Sequence, residues 1–153
     1  MSNLIILSAQ SILKYLERQQ NELAVDLPVI GKAVVATKEL KFHADRLSLP
    51  IHHNIPLVSD FTIDFEKFKC EDTKLSFEIG RVGFIPGFGI DILSQALADY
   101  IGKILGGSNV EVLGSRLFIE MADLLPESMR SLHINSLQVS EGKEAGIRIE
   151  FEF

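Results

Sequence analysis

The chain has 153 residues, of which 46% are hydrophobic and 24% are charged, and its formal net charge at pH 7 is −6. This hydrophobic content argues against intrinsic disorder, and the length fits one domain that spans residues 1–153. A net acidic chain repels a phosphate backbone, which argues against nucleic-acid binding. No apolar stretch reaches the roughly 20 residues of a transmembrane segment, and the single cysteine, Cys70, excludes an intrachain disulfide.

The N-terminal sequence MSNLIILSAQSILKYLERQQ predicts a helix over residues 3–20, with Ser2 or Asn3 as its cap. An apolar stripe recurs at helical spacing opposite a polar face and consists of Ile5, Ala9, Ile12, Leu13 and Leu16. The segment has no positively charged start and its apolar run stops after Leu7, so it does not predict a signal peptide. We therefore expect a cytoplasmic protein.

Much of the remaining sequence alternates between apolar and polar residues, as in DFTIDFEKF, TKLSFEIG and AGIRIEFEF. Such alternation is typical of strands with one buried and one solvated face, which favours antiparallel pairing. The pattern is irregular near Asp45 and Asn135, where we expect β-bulges. VSEGKEAG predicts a hairpin turn, and NVEVLGSRLFIEM predicts one strand or a bent pair of strands.

A second helical pattern covers residues 91–105, DILSQALADYIGKIL. Asp91 is a good N-cap, and Gly106 and Gly107 end the segment. The apolar stripe of this helix consists of Ile92, Leu93, Ala96, Leu97, Tyr100, Ile101, Ile104 and Leu105.

The predicted order is one helix, about five strands, a second helix and three more strands. Segregated elements of this kind indicate an α+β fold. We expect a strongly twisted antiparallel sheet of about 6–8 strands, packed on two amphipathic helices at residues 3–20 and 91–105. The helices are expected to cover the apolar face of the sheet, because no other predicted element is available to do so.

The histidines do not show the spacing of a metal site. His52 and His53 are adjacent, so their side chains point to opposite faces of an extended chain, whereas His43 and His133 stand alone. We interpret all four as surface or loop residues and expect no metal and no cofactor.

Two further groups of candidate catalytic residues are also better explained without catalysis. Asp60, Asp64 and Glu66 share one face of a predicted strand, where they either bind a cation, act as paired carboxylates or simply face solvent, and the last interpretation is favoured. Cys70 is followed by Glu71 and Asp72, whose charges raise the pKa of a thiol and disfavour a nucleophile. Since the sequence also contains no P-loop, dinucleotide motif or nucleophile elbow, we expect no enzymatic activity.

The stretch GFIPGFG places three large apolar side chains, Phe84, Ile85 and Phe88, among glycines and a proline. One interpretation is a plug that folds under the second helix and closes the core. The other is a glycine-hinged portal that admits an apolar ligand, touches a membrane surface through residues 84–88 or contacts a partner.

Three consecutive stretches resemble one known group of proteins: IDILSQALADYIGKIL, NVEVLGSRLFIEMADLL and SLHINSLQVSEGKEAGIRIEFEF. Over roughly residues 75–153 their pattern is similar to the tubular lipid-binding superfamily, whose members include relatives of bactericidal permeability-increasing protein. The resemblance implies a long twisted antiparallel sheet wrapped around a helix, with lipid in an apolar lumen. It is a likeness of pattern without an invariant motif, so it assigns no site residue.

Two functional hypotheses follow. The first is a non-catalytic module that binds a lipid or another apolar small molecule between the sheet and the second helix. Its predicted wall consists of Phe77, Ile79, Phe84, Ile85, Phe88, Leu93, Leu97, Tyr100, Ile101, Ile149 and Phe151. The second is a structural or protein-interaction domain with a filled core, which forms a homo-oligomer through the first helix or through GIRIEFEF acting as an edge strand.

Overall fold

The computed structural model describes residues 2–18, 23–27, 31–36, 39–53, 60–82, 90–105 and 110–153. Two α-helices lie within these ranges: α1 (Ala9–Arg18) and α2 (Ile90–Ile104). Seven strands precede α2: β1 (Asn3–Ser8), β2 (Leu23–Leu27), β3 (Gly31–Val35), β4 (Lys41–His43), β5 (Arg46–His52), β6 (Phe61–Glu71) and β7 (Lys74–Val82). Four strands follow it: β8 (Val110–Leu113), β9 (Arg116–Glu120), β10 (His133–Ser140) and β11 (Gly146–Glu152).

The strands form two sheets in which every described pairing is antiparallel. The large sheet has eight strands in the order β2-β3-β5-β6-β7-β9-β8, with β4 also paired to β5. The small sheet has three strands in the order β1-β11-β10, and β10 contacts β4, β5 and β6 of the large sheet. The structure is therefore mostly antiparallel sheet with helices, as predicted. The expectation of a single sheet is wrong, because β11 pairs with β1 and β10 instead of extending the large sheet.

The large sheet curls around α2. This helix contacts β7 and β9, and it also contacts β2 and β8, the two ends of the strand order. Seven flat strands spaced about 4.8 Å apart would place those edges about 29 Å from each other. The 15 residues of α2 span only about 22 Å along the helix axis and about 10–12 Å across it. One helix therefore reaches both edges only because the sheet bends strongly around it.

The main core lies between the large sheet and α2. Its α2 residues repeat every three to four positions, as helix geometry requires of one buried face. The sheet contributes residues that alternate along each strand. The buried cluster consists of Leu49, Ile51, Phe61, Ile63, Phe77, Ile79, Leu93, Leu97, Ala98, Leu117 and Ile119.

Residues 3–8 form strand β1, so the predicted helix over residues 3–20 is wrong in its first part. β1 pairs with β11, with Ile5 opposite Ile149. The helix begins only at Ala9, because the Ser8 hydroxyl accepts a hydrogen bond from the Ser11 N–H at 3.1 Å, which is the geometry of an N-cap. The principal contacts of α1 are with β1 and β11, and among the described side chains the buried core cluster includes those of α2 and none of α1.

The C-terminal strand is not an edge, contrary to the second hypothesis. β11 pairs with β1 on one side and with β10 on the other. Its backbone donors and acceptors are therefore engaged in two ladders, and β1 takes the edge position in the small sheet. The route to oligomerisation through GIRIEFEF as an open edge is thereby excluded.

The predicted irregularities have different outcomes. The register of β10 shifts between Ile134 and Ser136, which confirms the bulge at Asn135. Asp45 instead occupies the turn of the β4–β5 hairpin with a φ of 57°, in the left-handed region that Asp tolerates better than most residues. A bulge that was not predicted lies in β6 between Glu66 and Lys69.

The turn predicted in VSEGKEAG is confirmed, and NVEVLGSRLFIEM forms the second of its two predicted alternatives. A 3₁₀ turn at Gly142–Glu144 joins β10 to β11, and β8 and β9 form the bent pair that NVEVLGSRLFIEM allows. Gly114 and Gly142 have φ values of 61° and 81°, which only glycine adopts readily.

Neither helix in the described part of the chain combines the length and apolar character required to cross a membrane.

Candidate functional site

Six of the predicted wall residues come together between the large sheet and α2. Phe77 and Ile79 on β7 and Leu93 and Leu97 on α2 are buried in the same core cluster, and Tyr100 and Ile101 are half-buried against it. The four fully buried residues contact other core side chains. They are therefore part of the filled core, and they form the floor of the interface between the large sheet and α2.

The other predicted wall residues are not part of this cluster. Ile149 and Phe151 lie on β11 in the small sheet, where Phe151 packs edge-on against Phe153 at 5.8 Å between ring centroids. Phe84, Ile85 and Phe88 fall outside the described residues, as does the choice between a plug and a portal for residues 84–88.

Tyr100 carries a buried polar atom inside this apolar interface. Its hydroxyl oxygen is shielded from solvent and has no hydrogen-bond partner among the described residues. Burial raises the pKa of Tyr100 to about 12, so the group is a neutral O–H donor at physiological pH. A buried hydroxyl without a partner destabilises the folded state by about 1–3 kcal/mol. A ligand that accepts a hydrogen bond from this hydroxyl would therefore bind favourably there.

The second half of α2 carries apolar side chains that are not completely buried. Leu93 and Leu97, in its first half, are almost completely buried, whereas Ile101 and Leu105 are half-buried. Val110 and Val112 of the neighbouring β8 are also half-buried and pack against the core. An apolar ligand would therefore reach the interior most easily between this part of α2 and β8, next to Tyr100.

His52 lies in an exposed cluster that the sequence did not reveal. Its Nδ1 and Nε2 atoms each lie 2.7 Å from a carboxylate oxygen, of Asp60 and of Glu39 respectively. The hydrogen bonds to Asp60 and then Glu39 raise the pKa of His52, and the bond from His52 lowers the pKa of Asp60. Both ring nitrogens of His52 are thus engaged by carboxylates. The described His, Cys, Asp and Glu residues contain no group of three placed to hold a metal.

The sequence suggested that the strand face with Asp60, Asp64 and Glu66 is solvated. The structure shows that it is solvated only in part. Asp64 is only 6% exposed and accepts a 2.6 Å hydrogen bond from the Ser48 hydroxyl. The guanidinium of Arg46 lies 3.7 Å from the other oxygen of Asp64. These contacts satisfy a buried carboxylate, as structural ion pairs do. The alternation in the sequence could not show them, because they come from the neighbouring strand β5.

Cys70 is half-buried, and burial raises the pKa of its thiol. The sequence predicted this direction but attributed it to the neighbouring acids Glu71 and Asp72. A thiol with a raised pKa is mostly protonated at neutral pH and is a weak nucleophile.

β1 is an apolar strand that is open to solvent. Its four central residues are large and apolar, and their exposed fractions are 46% for Leu4, 43% for Ile5, 66% for Ile6 and 41% for Leu7. β1 pairs with β11 on one side and has no strand on its other side among the described residues. It also lacks the proline, lysine or other charge that commonly protects an edge strand.

Comparison of the chain with protein-family models, with curated proteins and with solved structures found no match.

Proposed function

We propose that the chain is a non-catalytic module that binds a hydrophobic or lipid-like ligand between the large sheet and the second half of α2. The curl of the sheet around α2 supports this proposal, because it brings both edge strands of the sheet within reach of one helix. The sequence resemblance to the tubular lipid-binding superfamily favours the same kind of ligand. A cytoplasmic location remains the accompanying prediction from the N-terminal sequence.

The observation that carries the proposal is the unpartnered hydroxyl of Tyr100. Leu97, Ile101 and Leu105, at or just after the same part of α2, are apolar and offer no side-chain acceptor. A ligand with an apolar chain and one acceptor, such as an ester or carboxylic oxygen, would satisfy this hydroxyl while its chain displaces water from the half-buried residues. Phe77, Ile79 and Leu93 would form the floor beneath it.

The substitution Tyr100→Phe should affect stability and ligand affinity in opposite directions. In delipidated protein we expect it to leave the free energy of unfolding unchanged or to raise it, because it removes a hydroxyl that has no partner. In protein as purified we expect a co-purifying lipid in native mass spectra and about ten-fold weaker rebinding of that lipid by the variant. Tyr15→Phe is the matched control, because Tyr15 lies on α1 and is 64% exposed. Absence of any co-purifying apolar molecule, or equal rebinding by both variants, would refute the proposal.

A second candidate function, self-association, is favoured by the exposed edge strand β1. The partner that we infer is a second copy of the chain, because antiparallel pairing of β1 with itself is chemically self-complementary. With Ile5 opposite the same residue of the second copy, Leu4 faces Ile6 across the two-fold axis on both sides. The adjoining residues 2–18 carry Lys14 and Arg18 against Glu17, so this surface does not share the net negative charge of the chain.

Substitution of Ile6 by lysine tests this second candidate. Ile6 is the most exposed of the four apolar residues of β1, so we expect the monomer to fold normally while a charge now lies on the open edge. Light scattering should then show a dimer for the unmodified chain and a monomer for Ile6→Lys. The control Ile92→Lys places the same charge on exposed α2 and should remain dimeric. A monomer at all concentrations of the unmodified chain would eliminate self-association.

A further inference from the structure

We propose that the outer face of the large sheet carries a second binding site, specific for an organic oxyanion with an attached apolar group. This face is opposite to the one that packs on α2, and the site is independent of the proposed interior ligand. A groove of about 770 Å³ crosses strands β6, β7, β9 and β8 there. That volume lies in the usual range of small-molecule sites, about 300–1,000 Å³.

The strand register places the polar groups of the groove around Ser76. Lys69 lies directly opposite Ser76 on β6, and Phe118 lies directly opposite it on β9. Lys74 precedes Ser76 by two positions on β7, so both side chains project from the same face. Directly opposite residues in antiparallel strands have Cβ atoms about 4.5–5.5 Å apart. Lys69 and Lys74 therefore project from the same face of the sheet as Ser76, from positions next to it.

Arg116, on β9, contacts the same serine. Its guanidinium donates a 2.8 Å hydrogen bond to the Ser76 hydroxyl oxygen and a 3.1 Å bond to the carbonyl oxygen of Lys67. Ser76 is only 6% exposed, and because its oxygen accepts the bond from Arg116, its own O–H can still donate. Arg116 is also fixed by Glu78 at 3.6 Å, and its side chain is 15% exposed. A buried donor backed by a fixed guanidinium is a preorganised arrangement for an anion.

The local charge also favours an anion, although the whole chain is acidic. Three cationic residues line the groove, against two carboxylates, those of Glu71 and Glu111. Glu111 lies 4.0 Å from Lys74, which is a long contact between exposed groups and therefore a weak one. Lys69 has no carboxylate partner among the described residues. An incoming oxyanion would thus find at least one ammonium group without a competing partner.

The rest of the groove is apolar, which indicates that the ligand has an apolar group next to its anionic group. Phe118 forms the middle of the groove next to the polar cluster, and Leu113 of β8 lines the far wall. Leu113 is 74% exposed, an unusual exposure for a leucine on a strand. A flat or short apolar group attached to the anion would cover these residues and bury their surface. The ligand class is therefore an aryl or alkyl phosphate or carboxylate, and not inorganic phosphate.

The test is a titration of isotope-labelled protein with 1-naphthyl phosphate, followed by the backbone amide signals in NMR spectra. We expect shifts for residues 69, 74–76 and 116–118, with binding that weakens as salt concentration rises. Inorganic phosphate and uncharged 1-naphthol should each bind at least about ten-fold more weakly, because each lacks one half of the recognition. A parallel titration with 1-naphthoate decides whether a carboxylate is accepted as well as a phosphate.

The diagnostic variant is Lys69→Gln, which removes an exposed charge with no structural partner and should leave folding unchanged. We expect about ten-fold weaker binding of 1-naphthyl phosphate, the usual loss for one charge-assisted hydrogen bond. Lys103→Gln removes a matched exposed lysine from α2, on the other face of the sheet, and should have no effect. The proposal is overturned if both variants bind equally, if 1-naphthol binds as tightly as its phosphate, or if the shifts map elsewhere.

Discussion

Replacement of Leu97 by alanine is expected to lower the free energy of unfolding by about 2–5 kcal/mol, the typical cost of truncating a fully buried leucine. Leu97 is 2% exposed and lies in the cluster that α2 forms with the large sheet. The substitution leaves a cavity that the curled sheet cannot easily fill, because both of its edges are already in contact with the same helix. Urea denaturation followed by circular dichroism measures the change.

Leu113→Ala is the matched control for Leu97→Ala. Leu113 is 74% exposed, so its truncation should change the free energy of unfolding by less than about 0.5 kcal/mol. If the two variants were equally stable, α2 would not pack on the sheet. The interior between them would then lose both its role in stability and its role in the proposed ligand binding.

The second large effect is expected for Gly146→Ala. A Cβ atom added at Gly146 would overlap the carbonyl oxygen of Leu7 and lie 3.0 Å from Cα of Ser8. These are backbone atoms of β1, which cannot rotate away as a side chain would. We therefore expect β1 to separate from β11 at this end, with a loss of stability of about 1–3 kcal/mol and faster hydrogen exchange of amides 3–8.

Gly80→Ala supplies the control for this substitution. Its added Cβ would meet the end of the Glu66 side chain at 3.1 Å, and this flexible carboxylate can move. We expect a much smaller loss of stability and no change in the exchange of amides 3–8. Unchanged exchange of these amides in Gly146→Ala would mean that β1 does not pair with β11 at the register seen here.

The second helix and the longest strands could be predicted because their signals are local. The period of 3.6 residues, the cap at Asp91 and the glycines at 106–107 predicted residues 91–105, and the observed helix is Ile90–Ile104. The alternation in DFTIDFEKF and AGIRIEFEF predicted strands that correspond to β6 and β11. The alternation in TKLSFEIG likewise predicted β7. The apolar faces of β7 and α2 were sufficient to place Phe77, Ile79, Leu93 and Leu97 in one core.

The N-terminal error has an identifiable cause. Leu4, Ile5, Ile6 and Leu7 are consecutive, so they fit a helical stripe and a strand equally well. What decides between them is pairing with β11, whose partner residues lie at the other end of the sequence and leave no local signal. Ser8 was the available signal, because a serine followed by helix-forming residues is a good N-cap and would have placed the helix start at Ala9.

The polar clusters of the outer groove and around His52 were missed for the same reason. Arg116, Ser76 and Lys69 meet across three strands, and they are up to 47 positions apart in the sequence. Glu39, His52 and Asp60 likewise meet only because the sheet brings their strand ends together. Alternation predicts which face a residue occupies, but not which residue lies opposite it, because register depends on turns and bulges such as the one at Lys67.

The pairing of β1 with β11 also has a consequence for how the protein is made. Leu7 pairs with Ile147, so the ribosome synthesises 140 further positions before that partner exists. At about 5–20 residues per second this takes on the order of ten seconds. The hairpins of the large sheet connect neighbouring segments and can form as they emerge, whereas the small sheet is completed last. During that interval the sequence LIIL is an exposed hydrophobic segment of the nascent chain. Chaperones that bind such segments would have their longest opportunity to act there.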